Sequence, residues 1–214
     1  MLWFESNDLH RHLRVTPSLS DRPGLRASLR AARRGLSAIQ RDAIAVAIAS
    51  HLDAGRCLTP NKRVGLYLAL PDEIPTEPLL ALAQDRGCKV YLPRIIDYRA
   101  CTMRFIRPTD SWRRNRYGIL EPTGQDSLPA HWLDLVFLPA LGVDPRGARL
   151  GHGAGFYDRA LNFRRHRQVW RGPKLIVVAA DVQRIDHIPE QLYDVRCDAI
   201  VTESGITPTA RNAA

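Results

Sequence analysis

Lysine is nearly missing from this chain. Among 214 residues only Lys62, Lys89 and Lys174 are lysines, so arginine carries most of a formal net charge of +9. No Gly-Lys-Ser or Gly-Lys-Thr step occurs, which excludes a P-loop, whose lysine must reach nucleotide phosphates. Cysteine is sparse as well: Cys57, Cys88, Cys101 and Cys197 are scattered, with no CxxC pair. That spacing excludes a zinc ribbon or a disulfide scaffold and predicts reduced thiols in a cytoplasmic protein, serving as small core hydrophobes. No apolar run approaches the roughly 20 residues of a membrane helix, so no membrane partner is expected. The opening "MLWFESNDLHRHLRVTPSLSDRPG" lacks the basic-then-apolar order of a secretory leader.

What is present is arginine and apolar residues. The hydrophobic fraction of 45% can support a sizeable core, and the length fits one domain over residues 21–214 better than two small ones. Residues 1–20 mix charge, Pro and Ser without periodicity and read as a poorly ordered extension. Eight arginines against three acids fall within residues 1–41, and further clusters span 104–116 and 164–171. Such a surface favours anionic partners. An arginine-rich coding bias produces the same composition, so charge alone does not select a function.

Periodicity places the elements. Residues 24–52 carry apolar side chains at helical spacing, broken near Gly35, with Ser37 as the N-cap of a second helix. "RVGLYLAL" (63–70) reads as a strand. "TEPLLALAQDRG" (76–87) reads as a helix capped by Thr76 and stopped by Gly87. "KVYLPRI" and "TMRFIR" are strands, and residues 107–130 are loop-like. "LDLVFLPALGV" is an apolar run typical of a strand covered on both faces. A helix from about Gly155 to Arg167 follows, then buried strands "KLIVVAA" and "CDAIVT". Strands alternating with helices predict an α/β fold: a single three-layer domain with a largely parallel sheet flanked by helices.

The chemistry concentrates in "RLGHGAGFYDR", residues 149–159, where glycines alternate at 151, 153 and 155. The stretch follows a buried strand, and ligands of open α/β sheets sit outside the carboxyl ends of strands. Glycines let backbone N–H groups curl around phosphate oxygens, and a helix N-terminus adds positive partial charge. Arg149 would add a bidentate charged contact. The GxGxG spacing departs from a dinucleotide fingerprint. A tight turn packing a helix on a sheet is the competing reading of the spacing.

The residues around the glycines say more. "LPALGVDPRGARLGHGAGFYDRAL" resembles the signature of the 5-formyltetrahydrofolate cyclo-ligase family, also called 5,10-methenyltetrahydrofolate synthetases. "LRASLRAARRGLS", "LYLALPDEIPTEPLL", "VYLPRI", "YGILEP" and "YDVRCDAIVTES" match other parts of that family in order, so the resemblance covers residues 22–204. It implies an ATP-dependent, magnesium-requiring enzyme that activates the N5-formyl oxygen of 5-formyltetrahydrofolate with the γ-phosphate. N10 then closes the 5,10-methenyl ring as phosphate leaves. Phosphate is a far better leaving group than hydroxide, and phosphoryl transfer needs mainly positioning and charge neutralisation.

Carried over residue by residue, the resemblance implies that Arg149 contacts the ATP phosphates and Tyr157 lies beside the reacting groups. Gly151, His152, Gly153, Ala154, Gly155 and Phe156 complete the ATP loop, joined by Arg22 and Arg26 near the start. Asp158 and Asp198 are the expected magnesium carboxylates, although an acid in a first helical turn is also favoured by the helix dipole. Glu73 would hold the pterin ring by accepting from its 2-amino group and ring N–H. Leu68 and Met103 would be apolar walls of the folate pocket, and Tyr117 would stand in a loop over it, beside arginines facing a glutamate tail. Two departures stand out. Arg22 replaces a usual lysine, which alters reach and geometry. Ala154 replaces a frequent loop lysine, leaving His152 or another arginine to supply the charge.

The expected partner is therefore a small molecule, 5-formyltetrahydrofolate with or without a polyglutamate tail, bound by a monomer with no nucleic acid. Two other readings stay open: a nucleotide-binding paralogue with another substrate, kept alive by Ala154, and a basic RNA-binding protein. The latter draws on Trp112 and Tyr117 beside Arg113, Arg114 and Arg116. Salt separates them, because phosphate-backbone binding falls steeply with it.

Overall fold

The structure is a computed structural model that describes residues 22–165 and 172–210. The expected N-terminal extension lies outside the described residues. Two helices lead: α1 (Arg22–Arg34) and α2 (Ala38–Ala54). Ser37 caps α2 in a full capping box with Gln40, as its position predicts. Then come β1 (Arg63–Gly65), α3 (Glu77–Asp85), β2 (Lys89–Asp97), β3 (Thr102–Ile106), β4 (Trp112–Arg114), β5 (Leu120–Pro122) and β6 (Ser127–Leu128). The last part comprises β7 (Leu135–Pro139), β8 (Gly142–Val143), β9 (Arg149–Leu150), α4 (Phe156–Leu161), β10 (Lys174–Val178), β11 (Ala199–Thr202) and β12 (Gly205–Pro208).

Eight strands form one sheet in the order β12-β11-β10-β7-β1-β2-β3-β6. The central pairs β11–β10, β10–β7, β7–β1 and β1–β2 are parallel, and β12, β3 and β6 join antiparallel at the flanks. The α/β expectation holds. The chain enters the sheet at β1, moves one way to β2, then returns to β7 on the other side of β1. The carboxyl ends of β1 and β7 thus flank a topological switch point, where α/β sheets bind ligands.

Side-chain alternation explains the layers. In β7, Leu135 and Phe137 enter a core with α2 and α3, whereas Val136 and Leu138 enter one with Leu161 of α4. A strand covered on both faces reads as a continuous apolar run, as this one does. A third cluster joins Leu25 and Leu29 of α1 to Leu141, Ala148, Leu150 and Ile188. It seats α1 on the β8–β9 hairpin, and Gly142 permits the close fit: a Cβ there would come within 2.5 Å of Leu29 Cδ1.

Several expected elements are shorter or differently held. Regular pairing in "RVGLYLAL" stops at Gly65, freeing residues 66–70 to run over the carboxyl edge. The Thr76 hydroxyl donates to Tyr67 O at 2.7 Å instead of capping α3. The expected helix over 155–167 ends as α helix at Leu161 and tightens to a 3₁₀ turn over Asn162–Arg165. Residues 166 and 167 lie outside the described residues. The loop-like stretch 107–130 contains the β4–β5 hairpin.

Candidate active site

Asp144 organises the approach to the glycine loop. Its fully buried carboxylate accepts from the amides of Arg146, Ala148 and Ile188 at 2.9, 3.0 and 3.0 Å, and from the Arg146 guanidinium. This turn sets β9 beside β8, so Arg149 enters the interior. Its Nη2 donates to Asp158 Oδ1 at 2.6 Å, and its guanidinium lies 5.8 Å from the centre of the Tyr157 ring. The Arg149 Nε–H is buried without a hydrogen-bond partner, the kind of orphan donor that a ligand satisfies.

Two of the three loop glycines are required by conformation: Gly153 has φ +111° and Gly155 φ +73°, both left-handed. Gly151 is different. A Cβ there would only touch Arg149 Nη1 at 3.6 Å, so the ligand-free fold does not need glycine at this position. Arg26 of α1 braces the loop from above, donating Nε to Gly151 O at 3.0 Å. Burial, then the charge of Arg22, lower its pKa, though a guanidinium stays charged. Arg22 is committed elsewhere, to Pro189 O at 2.9 Å and Asp194 Oδ2 at 2.6 Å. Ala154 presents its carbonyl to Arg159 Nη1 at 3.3 Å. A cation therefore borders the position where the family lysine is missing. Phe156 packs into the core beside Tyr157.

Across the crevice stands Glu73, in the segment that follows β1. It is buried, with Oε2 accepting from Leu70 N at 3.0 Å and Oε1 paired with Arg33 Nη1 at 3.4 Å. His152 reaches over from the glycine loop to place Nε2 3.1 Å from the same Oε1. Burial, then the Glu73 charge, push the phenols of Tyr157 and Tyr67 up, against a smaller opposing pull from Arg149 on the former and Arg33 on the latter. Both phenols are therefore protonated donors near neutral pH. A cleft of about 350 Å³, lined in part by Arg41, Asp42, Leu70 and Pro75, opens onto Glu73. A larger one of about 590 Å³ lies at the opposite edge, lined by Asp53, Arg56, Asp85 and Arg86.

The structure thus brings together Arg26, Arg149, Gly151, His152, Gly153, Glu73, Tyr157 and Asp158. Arg33 and Tyr67 join them unannounced. Arg33 was legible in principle: it sits four residues after Leu29 and eight after Leu25, a charge on an apolar stripe. Leu68 and Met103 pack into clusters on opposite faces of the sheet, so a pocket using both would span its carboxyl edge. Tyr117 is exposed on the β4–β5 hairpin, with its ring against Tyr98 and Arg116.

Asp198, the other expected magnesium carboxylate, is held by partners of its own. It precedes β11 at the amino edge of the parallel strands, and its two oxygens accept from Arg164 Nη2 at 2.7 and 2.8 Å and from Leu175 N at 2.8 Å. Asp158 is likewise held by Arg149. With each carboxylate already tied to an arginine, the two do not fit as a joint magnesium site. Among the described residues no group of three or more His, Cys, Asp or Glu side chains could hold a metal ion. The short α4, six residues long, also contributes less dipole than a full helix would.

The profile of the "5-formyltetrahydrofolate cyclo-ligase family" matches residues 18–203. A 5-formyltetrahydrofolate cyclo-ligase of Haemophilus influenzae is 31% identical over 81% of this chain and 93% of its own length. One from Escherichia coli K12 is 30% identical over 83% and 98%. Among solved structures, the 5,10-methenyltetrahydrofolate synthetase of Aquifex aeolicus superposes with a TM-score of 0.75 at 23% identity, covering 90% of this chain and 95% of its own. The fold is therefore shared with that structure, and the chain is an enzyme of the 5-formyltetrahydrofolate cyclo-ligase family.

Proposed function

We propose that the chain catalyses the ATP-dependent cyclisation of 5-formyltetrahydrofolate to 5,10-methenyltetrahydrofolate, releasing ADP and phosphate. The observation that carries this reading is the meeting, at the switch point, of a glycine loop backed by arginines with a buried carboxylate. Arg26, Arg149 and Arg159 neutralise the phosphates, and the loop amides around Gly151 orient them. Glu73 accepts from the pterin N–H groups. The formyl oxygen attacks the γ-phosphorus and the bond to the β,γ-bridging oxygen breaks, so ADP leaves. N10 then attacks the activated carbon, its proton is lost, and the C–O bond breaks to release inorganic phosphate. Tyr157, protonated and beside Arg149, donates to oxygen charge that develops in these steps. Magnesium would arrive with the triphosphate oxygens and water, which is its usual coordination with nucleotides.

The test separates the two ligands. Glu73→Gln is expected to weaken 5-formyltetrahydrofolate binding by about 1.5–3 kcal/mol, the range for a hydrogen bond to a charged group, with ATP affinity nearly unchanged by calorimetry. Equal losses for both ligands would make Glu73 a structural residue.

A further inference from the structure

The contact between His152 and Glu73 is odd for a substrate-anchoring carboxylate, because it adds a side-chain donor to a group already met by Leu70 N and Arg33. Glu73 and Arg33 are buried at 6% and 1% side-chain exposure, whereas His152 is 38% exposed. The carboxylate is therefore the fixed partner and the imidazole the movable one. Leu70 N on Oε2 and Arg33 on Oε1 are fixed parts of the fold, so the partner that an incoming N–H donor can displace is His152, whose Nε2 stands 3.1 Å from Oε1. An imidazole N–H and a pterin N–H are similar planar donors. His152 also sits between Gly151 and Gly153, and glycine backbones reach conformations closed to other residues.

We propose that His152 is an internal stand-in for the pterin: it occupies Glu73 in the free enzyme and must be displaced by the folate, so that its contact subtracts from folate affinity. This rests on the reading of Glu73 given above and adds a specificity-setting residue to it. The charges facing the pair are few. Arg33 from α1 shares Glu73 Oε1 and also meets Asp72 at 3.1 Å. Tyr157 from α4 and Tyr67 beyond β1 face Glu73 as protonated phenols. Arg26 from α1 lies against Gly151 and Gly153.

The experiment is calorimetric titration of the chain with 5-formyltetrahydrofolate, without nucleotide, for wild type and two variants. His152→Ala, which removes the competing donor, is expected to bind the folate roughly three- to fivefold more tightly than wild type, the scale of one modest hydrogen bond. His152→Gln, which retains a side-chain donor, should bind as wild type does. Equal or weaker binding by His152→Ala would overturn the proposal while leaving Glu73 as the anchor. Absence of folate binding by all three proteins would remove the functional reading itself.

Discussion

Individual residues divide between those the fold needs and those only a ligand needs, and the glycine loop shows both. Gly153 and Gly155 hold left-handed backbone, so replacing either strains the chain whatever binds. Gly151 does not. Gly151→Ala is expected to leave thermal stability within about 0.5 kcal/mol, as for an unstrained surface change, yet to weaken ATP binding at least tenfold, about 1.4 kcal/mol. Paired melting and titration experiments check this, and an unaltered ATP affinity would mean that no phosphate approaches Gly151. Residue order marks the glycines, whereas the expectation that Arg149 and Glu73 join them comes from the family resemblance, and the fold brings all of them to one crevice. Asp198 is not legible in that order: an acid near a strand end reads alike whether it binds a metal or an arginine, and only the fold reveals Arg164 at its side. Tyr67 escapes because an aromatic in an apolar strand carries no signal of the carboxylate it faces.

At the scale of elements, the site depends on three pieces that reach the carboxyl edge from different parts of the chain. Helix α1 brings Arg26 and Arg33, the run past β1 brings Tyr67 and Glu73, and the β8–β9 hairpin delivers the loop. The long buried strands were legible as apolar runs, and Ser37 as a cap. The β4–β5 hairpin and the early end of α4 were not, because two- and three-residue pairings and a 3₁₀ turn are set by tertiary contacts rather than by local periodicity. The hairpin hangs on Asp144, whose carboxylate replaces backbone partners for three amides. Asp144→Ala is expected to cost about 3 kcal/mol, since it leaves buried donors and Arg146 without their acceptor. Urea unfolding measures this, and a loss below 1 kcal/mol would show that the hairpin holds without it.

For the whole molecule, arginine is the recurring partner. Arg196 holds the Glu190 carboxyl below its usual range despite partial burial. Burial works against Asp72, but Arg33 and Arg34 together hold it low as well. Groups with depressed folded pKa values stabilise above their unfolded pKa, near 4 for carboxyls, and lose that contribution as pH falls through the folded value. Urea midpoints should therefore be flat from about pH 5 to 8 and drop below about pH 4, whereas a midpoint that rose on acidification would contradict the assignment. The net charge of +9 fits a protein that gathers a triphosphate and a folate carboxylate, an electrostatic preference rather than a proof of one. The central claim is that both ligands meet and react at the switch point. The direct measurement is the rise of methenyl absorbance after mixing the protein with ATP, magnesium and 5-formyltetrahydrofolate, with each component withheld in turn. The account predicts product only when nucleotide and folate are both present, with one phosphate released per ring closed; product without ATP, or ATP hydrolysis without ring closure, would contradict it.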